Sequence, residues 1–169
     1  MKRLYRRIID YIRYDIPYGI KNIIKWFPTI WKDREWDHYF IYVTLRQKLH
    51  FTEQYIRKHD RHTTAQQDAD KIKTCVLLLD RLIADNYHNM TFKKIEEKWG
   101  DLEMSSTPCK DRPDLHEVHI TRPNIKTEED KIQERKEFKN ACEHERYLKN
   151  QDRELLFKII SKNIERWWD

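Results

Sequence analysis

Glycine is nearly missing from this chain, at two residues in 169. Tight two-residue hairpins and phosphate-cradling Gly loops, both of which depend on glycine's free backbone, are therefore all but excluded. Cysteine is scarce as well. Cys75, Cys109 and Cys142 lie far apart with no CxxC spacing, which argues for reduced thiols and against a zinc knuckle. No apolar run approaches the ~18 residues of a membrane span, and no stretch has the apolar centre of a signal peptide. The expectation is a soluble protein of the cytoplasm. Ser-His-Asp and Cys-His spacings and a nucleophile elbow are missing too, so no catalytic residue, cofactor or metal is expected, and the chain reads as a non-enzyme.

Charge and aromatic rings are what the chain has instead. Charged residues make up 37% and the mean hydropathy is −1.00, values that would suggest disorder if aromatics were scarce; at 12% they are not. A charged, Gly-poor chain rich in Lys, Glu, Leu and Ile describes long helices. The net charge of +5 is uneven: residues 1–30 hold seven Lys/Arg against two Asp, which is already +5, and the remainder is neutral.

The spacing predicts an all-α fold: an antiparallel helical hairpin core, short N-terminal helices and a long C-terminal helix. Residues 1–169 read as a single helical domain. Its basic, Trp-rich helices cover 1–36, the hairpin 37–88, a long connection 101–126 and the last helix 127–169. Leu4, Ile8, Tyr11 and Ile12 form one face of a basic helix over 2–14 that Pro17 should interrupt. Ile20, Ile23, Ile24 and Phe27 suggest a second short helix before Pro28. The hairpin shows as His38, Tyr42, Leu45, Leu49, Thr52 and Ile56, then Ala65, Ala69, Ile72, Val76, Leu79 and Ile83, both stepping by three and four. Asp33 or Asp37 can cap the first arm and Thr63 or Thr64 the second. A short helix from Thr91 to Trp99 should close at Gly100. Within 101–126, His116–Thr121 reads at most as an isolated extended piece. Thr127 and Asp130 form a capping-box variant. The apolar end beyond Leu155 should dock, and Leu156, Ile160, Trp167 and Trp168 suit a homo-oligomer contact.

The densest chemistry lies in Trp26–Asp37, where three of six tryptophans interleave with charges. Rings spaced by five rotate by ~140° on a helix, so Trp26, Trp31 and Trp36 cannot all face one core. Packing at a helix corner explains them blandly. The functional alternative has Trp31 or Trp36 stacking on a base while Lys32 and Arg34 hold phosphate. In an antiparallel hairpin the start of the first arm meets the end of the second, which would add Arg81; Asp33 and Asp37 complete the candidate ligand-binding set. Asp–Arg bridges tying the junction are the plainer alternative. Lys2, Arg3, Arg6, Arg7 and Arg13 among Tyr5, Tyr11 and Tyr14 could contact nucleic acid or an anionic surface, or simply be a solvated face with the rings in the core. Membrane anchoring is not expected, because the apolar face reads as short. His116-x-x-His119 and Glu143-His144-Glu145 match no zinc-protease spacing. A metal-dependent hydrolase using Asp33, Asp37 or that His pair trails the other readings.

The string W-F-P-x-I-W-K-D-R-x-W-D, with D-A-D-K-I-K-x-C-V-L-L-L-x-R (Asp68 to Arg81) and the closing W-W-D, resembles a group of small tailed-bacteriophage proteins of no assigned activity. That resemblance covers nearly the whole chain and carries no catalytic roles. It implies an accessory protein of a host bacterial cytoplasm, where such proteins take over, shield against or switch off host machinery. The leading expectation is a protein that sequesters a small nucleotide-like ligand, such as a cyclic-nucleotide or ADP-ribose-type defence signal. The alternative is an interaction protein docking a host protein or nucleic acid through its basic N-terminus and long helix.

Overall fold

The computed structural model describes residues 5, 7, 9–34, 36–112 and 114–167. Among the described residues, five α-helices, a π-helical and a 3-10 turn and one two-stranded antiparallel ribbon make up the regular structure, a mostly all-α architecture. The expectations resting on Lys2, Arg3, Leu4, Arg6, Ile8 and Trp168 lie outside the described residues. The chain divides into two compact units, residues 1–79 with 165–169 and residues 80–164.

The first unit begins with a π-helical turn, Tyr11–Asp15, that runs straight into α1, Ile16–Ile30. Neither proline stops this helix, contrary to the spacing argument. Pro17 falls in the first turn of α1, where a missing N–H costs little, and the π turn ahead of it closes instead through Ile16 N–H to Tyr11 O. Pro28 sits inside α1, which continues to Ile30. The two short helices expected here are one continuous helical run.

After a turn, α2 spans His38–His59. Asp37 caps it: its carboxylate accepts the Tyr39 N–H at 2.9 Å, satisfying one of the donors that a helix start leaves over. Asp60, in the left-handed region at φ 45°, ends α2. The chain then turns into α3, Ala65–Ala84. Arg57 on α2 bonds Glu53 at 2.6 Å and Asp70 on α3 at 2.9 Å, joining the arms near the turn. Leu49 and Ile56 of α2, and Ala65, Ala69, Ile72 and Val76 of α3, are buried, as the three-four stepping requires.

Asp68 lies on that same buried stripe of α3 and is fully buried. Thr64 Oγ1 donates to it at 2.9 Å and Lys71 Nζ at 3.2 Å, while the Arg166 guanidinium sits 3.9 Å away. His62 Nε2 is 3.4 Å from the carboxylate, an ionic contact only when the imidazole is protonated and not a hydrogen bond. Burial alone pushes Asp68 upward. The Thr64 and Lys71 hydrogen bonds and the Lys71 and Arg166 charges outweigh it, so the carboxyl sits below its ordinary value. Through Arg166 this group pins the C-terminal turn, Ile164–Arg166, to the hairpin.

The second unit packs α4, Tyr87–Trp99, on α5, Glu128–Asn163. Phe92, Ile95, Trp99 and Ala141 are its core, with Ile125, Phe138 and Cys142 against them. Trp99 Nε1 donates to Glu137 at 2.7 Å and Lys98 Nζ at 2.6 Å. Gly100 ends α4 at φ 83°, and a Cβ there would lie 2.5 Å from Pro123 Cγ, so only glycine fits. Arg122, itself buried, binds Glu134 at 3.0 Å and Gly100 O at 2.6 Å. Within the segment expected to be a long connection, the extended piece over His116–Thr121 is not isolated: it is β2, paired in antiparallel register with β1, Glu103–Pro108. A connection over residues 109–115, closed by Cys109 N to Leu115 O, replaces the tight turn for which the chain lacks glycine. Thr127 and Asp130 cap α5 reciprocally, and the helix runs unbroken for 36 residues, ~54 Å at ~1.5 Å per residue. Leu156 and Trp167, offered above as oligomer contacts, are already buried by the chain itself.

Candidate ligand-binding site

The residues singled out by the tryptophan string do not form one site. Asp33, Arg34, Trp36 and Asp37 line an open groove of ≈ 790 Å³ along the start of α2, with His38, Phe40, Ile41, Thr44, Leu45 and Lys48. Trp31 and Lys32 are not among its walls. Trp31 tilts against Phe27 at 5.2 Å and is 72% exposed. Trp36 is 84% exposed and Asp37 is committed to its cap, while Arg34 donates to the neighbouring Asp33 carbonyl at 2.8 Å. Two carboxylates in the walls cancel much of what Arg34 and Lys48 offer an anion. Arg81 belongs to the second unit, where its Nε lies 3.0 Å from Asp152, which also accepts the Tyr87 hydroxyl at 2.6 Å. Burial, then that hydrogen bond, hold the Tyr87 phenol far above its ordinary value.

A second hollow, ≈ 470 Å³, is built from α1, α2 and the C-terminal turn. Helix α1 contributes Tyr18, Asn22, Lys25 and Trp26, α2 contributes Lys48, Phe51, Thr52 and Tyr55, and Trp167 completes it. Helical geometry explains the two sets, because positions three, four and seven apart share a face. Trp26 meets Phe51 edge to face at 5.4 Å, and Lys25 Nζ stands 3.6 Å above the Phe51 ring. The walls hold five aromatic rings, two lysines and no carboxylate. Trp167 is only 5% exposed, yet its indole N–H has no acceptor among the described residues. Leaving a buried donor unmade costs about 1–3 kcal/mol, which an acceptor that reaches this atom would recover.

None of these residues except Trp26 lay in the stretch that the sequence marked. The signal was available in Tyr18-x3-Asn22-x2-Lys25-Trp26 and Lys48-x2-Phe51-Thr52-x2-Tyr55, each a helical face of rings and cations, but nothing local says that the two faces meet. Trp167 was legible only as an apolar residue that should dock. The candidate metal residues fare differently: His116 and His119 fall on opposite faces of the ribbon by their register, with His119 Nε2 3.0 Å from Thr107 Oγ1. Among the described residues no three His, Cys, Asp or Glu side chains converge as a metal site would require. Cys75 is buried, and burial pushes its thiol up to about 11, the state of a packing residue rather than a nucleophile.

The fold and this hollow define a class: a helical-hairpin protein with an aromatic, carboxylate-free cavity bearing two lysines. No protein-family model matches the chain, and neither a curated protein nor a solved structure does.

Proposed function

We propose that the chain is a non-catalytic binding protein that captures a small nucleotide-like ligand in the hollow between α1 and α2. The observation that carries this reading is the orphaned Trp167 N–H in a chamber of rings and lysines. A planar ring stacks against Trp26 or Tyr55, gaining apolar contact area, while Lys25 and Lys48 meet a phosphate or similar anion. The Trp167 N–H and the Asn22 amide supply the directional contacts that fix orientation. A volume of ≈ 470 Å³ lies in the range of about 300–1,000 Å³ usual for small-molecule sites. Holding such a ligand needs no chemistry. In the setting that the phage resemblance implies, capture withdraws a cyclic-nucleotide or ADP-ribose-type signal from its host receptor.

Thermal unfolding against a panel of nucleotides tests this. A phosphorylated member at about 100-fold above its dissociation constant stabilises the protein by about 2.7 kcal/mol. The matching nucleoside, lacking the anion, stabilises it less, and Lys25→Ala and Lys48→Ala each weaken the effect. No stabilisation by any panel member would overturn the reading.

A further inference from the structure

Helix α1 is amphipathic, yet it packs with the wrong side in. Its ring contacts with α2 run through Lys25 and Trp26, both against Phe51, and within α1 only Gly19, Trp26 and Thr29 lose much of their exposure. Ile16, Ile20, Ile23, Ile24, Phe27 and Ile30 form a stripe along a different side, and none of them is buried. Ile23 and Ile24 are 66% and 68% exposed. The π turn extends this stripe. It holds one residue more than an α turn and so rotates what precedes it by about 100°, which brings Tyr11 and Ile12 into line with Ile16 and Ile20. From Tyr11 to Ile30 the apolar side is thus about 30 Å long at ~1.5 Å per residue, not the short face that a break at Pro17 would leave.

We infer that this stripe lies flat in the headgroup region of an anionic lipid bilayer. Three observations select that occupant. Residues 1–30 carry +5, of which Arg13, Lys21 and Lys25 against Asp15 supply +2 between Tyr11 and Ile30, so an anionic surface attracts this end of the chain, whereas a second copy would set like charge against like. An exposed indole, Trp31, stands at the C-terminal end of the stripe, the kind of amphipathic ring that suits a bilayer interface. And no helix among the described residues is long and apolar enough to cross a membrane, so α1 lies on the bilayer rather than through it.

Co-sedimentation with vesicles tests the inference on the full chain. Vesicles of phosphatidylcholine containing a minority of phosphatidylglycerol bind the protein, with added salt weakening binding as screening requires. Pure phosphatidylcholine binds it less. The double variant Ile20→Asp/Ile24→Asp, whose melting temperature stays unchanged because both side chains are exposed, loses binding by at least about tenfold. Three results would each overturn the inference: no binding to either vesicle, binding undiminished in the double variant, or a dimer in solution that the double variant splits. The first leaves the nucleotide reading intact, since the stripe is no part of the hollow.

Discussion

Trp99 and Trp167 are buried to the same degree, each 5% exposed, and yet only one is finished. Trp99 closes the core of the second unit beside Phe92 and Ile95, and its N–H goes to Glu137 at 2.7 Å. The hydrogen bond from Lys98, then that from Trp99, keeps Glu137 below its ordinary value and thus ionised to accept both. Trp167 sits at the edge of a hollow with its N–H unanswered. A folded chain rarely leaves such a donor without reason, because the loss is not recovered elsewhere. The difference separates a ring whose donor is satisfied within the fold from one whose donor is not, which is the contrast the binding proposal rests on.

The sharpest way to break this contrast is to truncate both. Trp99→Ala removes a core ring and its bond to Glu137, and should destabilise the second unit by about 3–5 kcal/mol in denaturant unfolding. Asp68→Asn comes next, at about 1.5–3 kcal/mol, because it weakens the hydrogen bonds that the buried carboxylate accepts from Thr64 and Lys71. Its pH dependence has a definite sign. The folded carboxyl lies below its ordinary value, so its contribution is present above the unfolded value of about 3.9 and lost as pH falls through the folded one. The wild type should therefore lose stability in that acid window, and the variant should lose less there. Gly100→Ala should cost about 1–3 kcal/mol, from the positive φ and the Pro123 ring, with the melting of the second unit as the readout. Trp167→Phe stands last: it keeps the ring and deletes the orphan, so stability should change by no more than about 0.5 kcal/mol. A large loss there would mean that the donor has a partner after all.

Much of the fold was written in short-range spacing. The three-four stepping of Leu49, Ile56, Ala65, Ala69 and Ile72 defines the hairpin, and Thr127 with Asp130 marks the start of α5. What escaped was set by tertiary context. Pro17 reads as a break unless the π turn before it is known. Ser105–Thr107 carries no apolar alternation, so β1 is visible only once β2 pairs with it. Asp68 on an apolar stripe reads as a solvated charge until Arg166, almost a hundred residues later, returns to it. The site suffered the same way: the tryptophan string drew attention to Trp31 and Trp36, both exposed, while the hollow uses Trp26 with partners from α2 and the far end of the chain.

The central claim concerns one proton. In a ¹H–¹⁵N spectrum the Trp167 indole resonance, assigned by its disappearance in Trp167→Phe, should move downfield and become protected from exchange when a binding nucleotide saturates the protein, while the Trp99 resonance stays in place. Saturation that leaves the Trp167 signal unmoved would contradict the account.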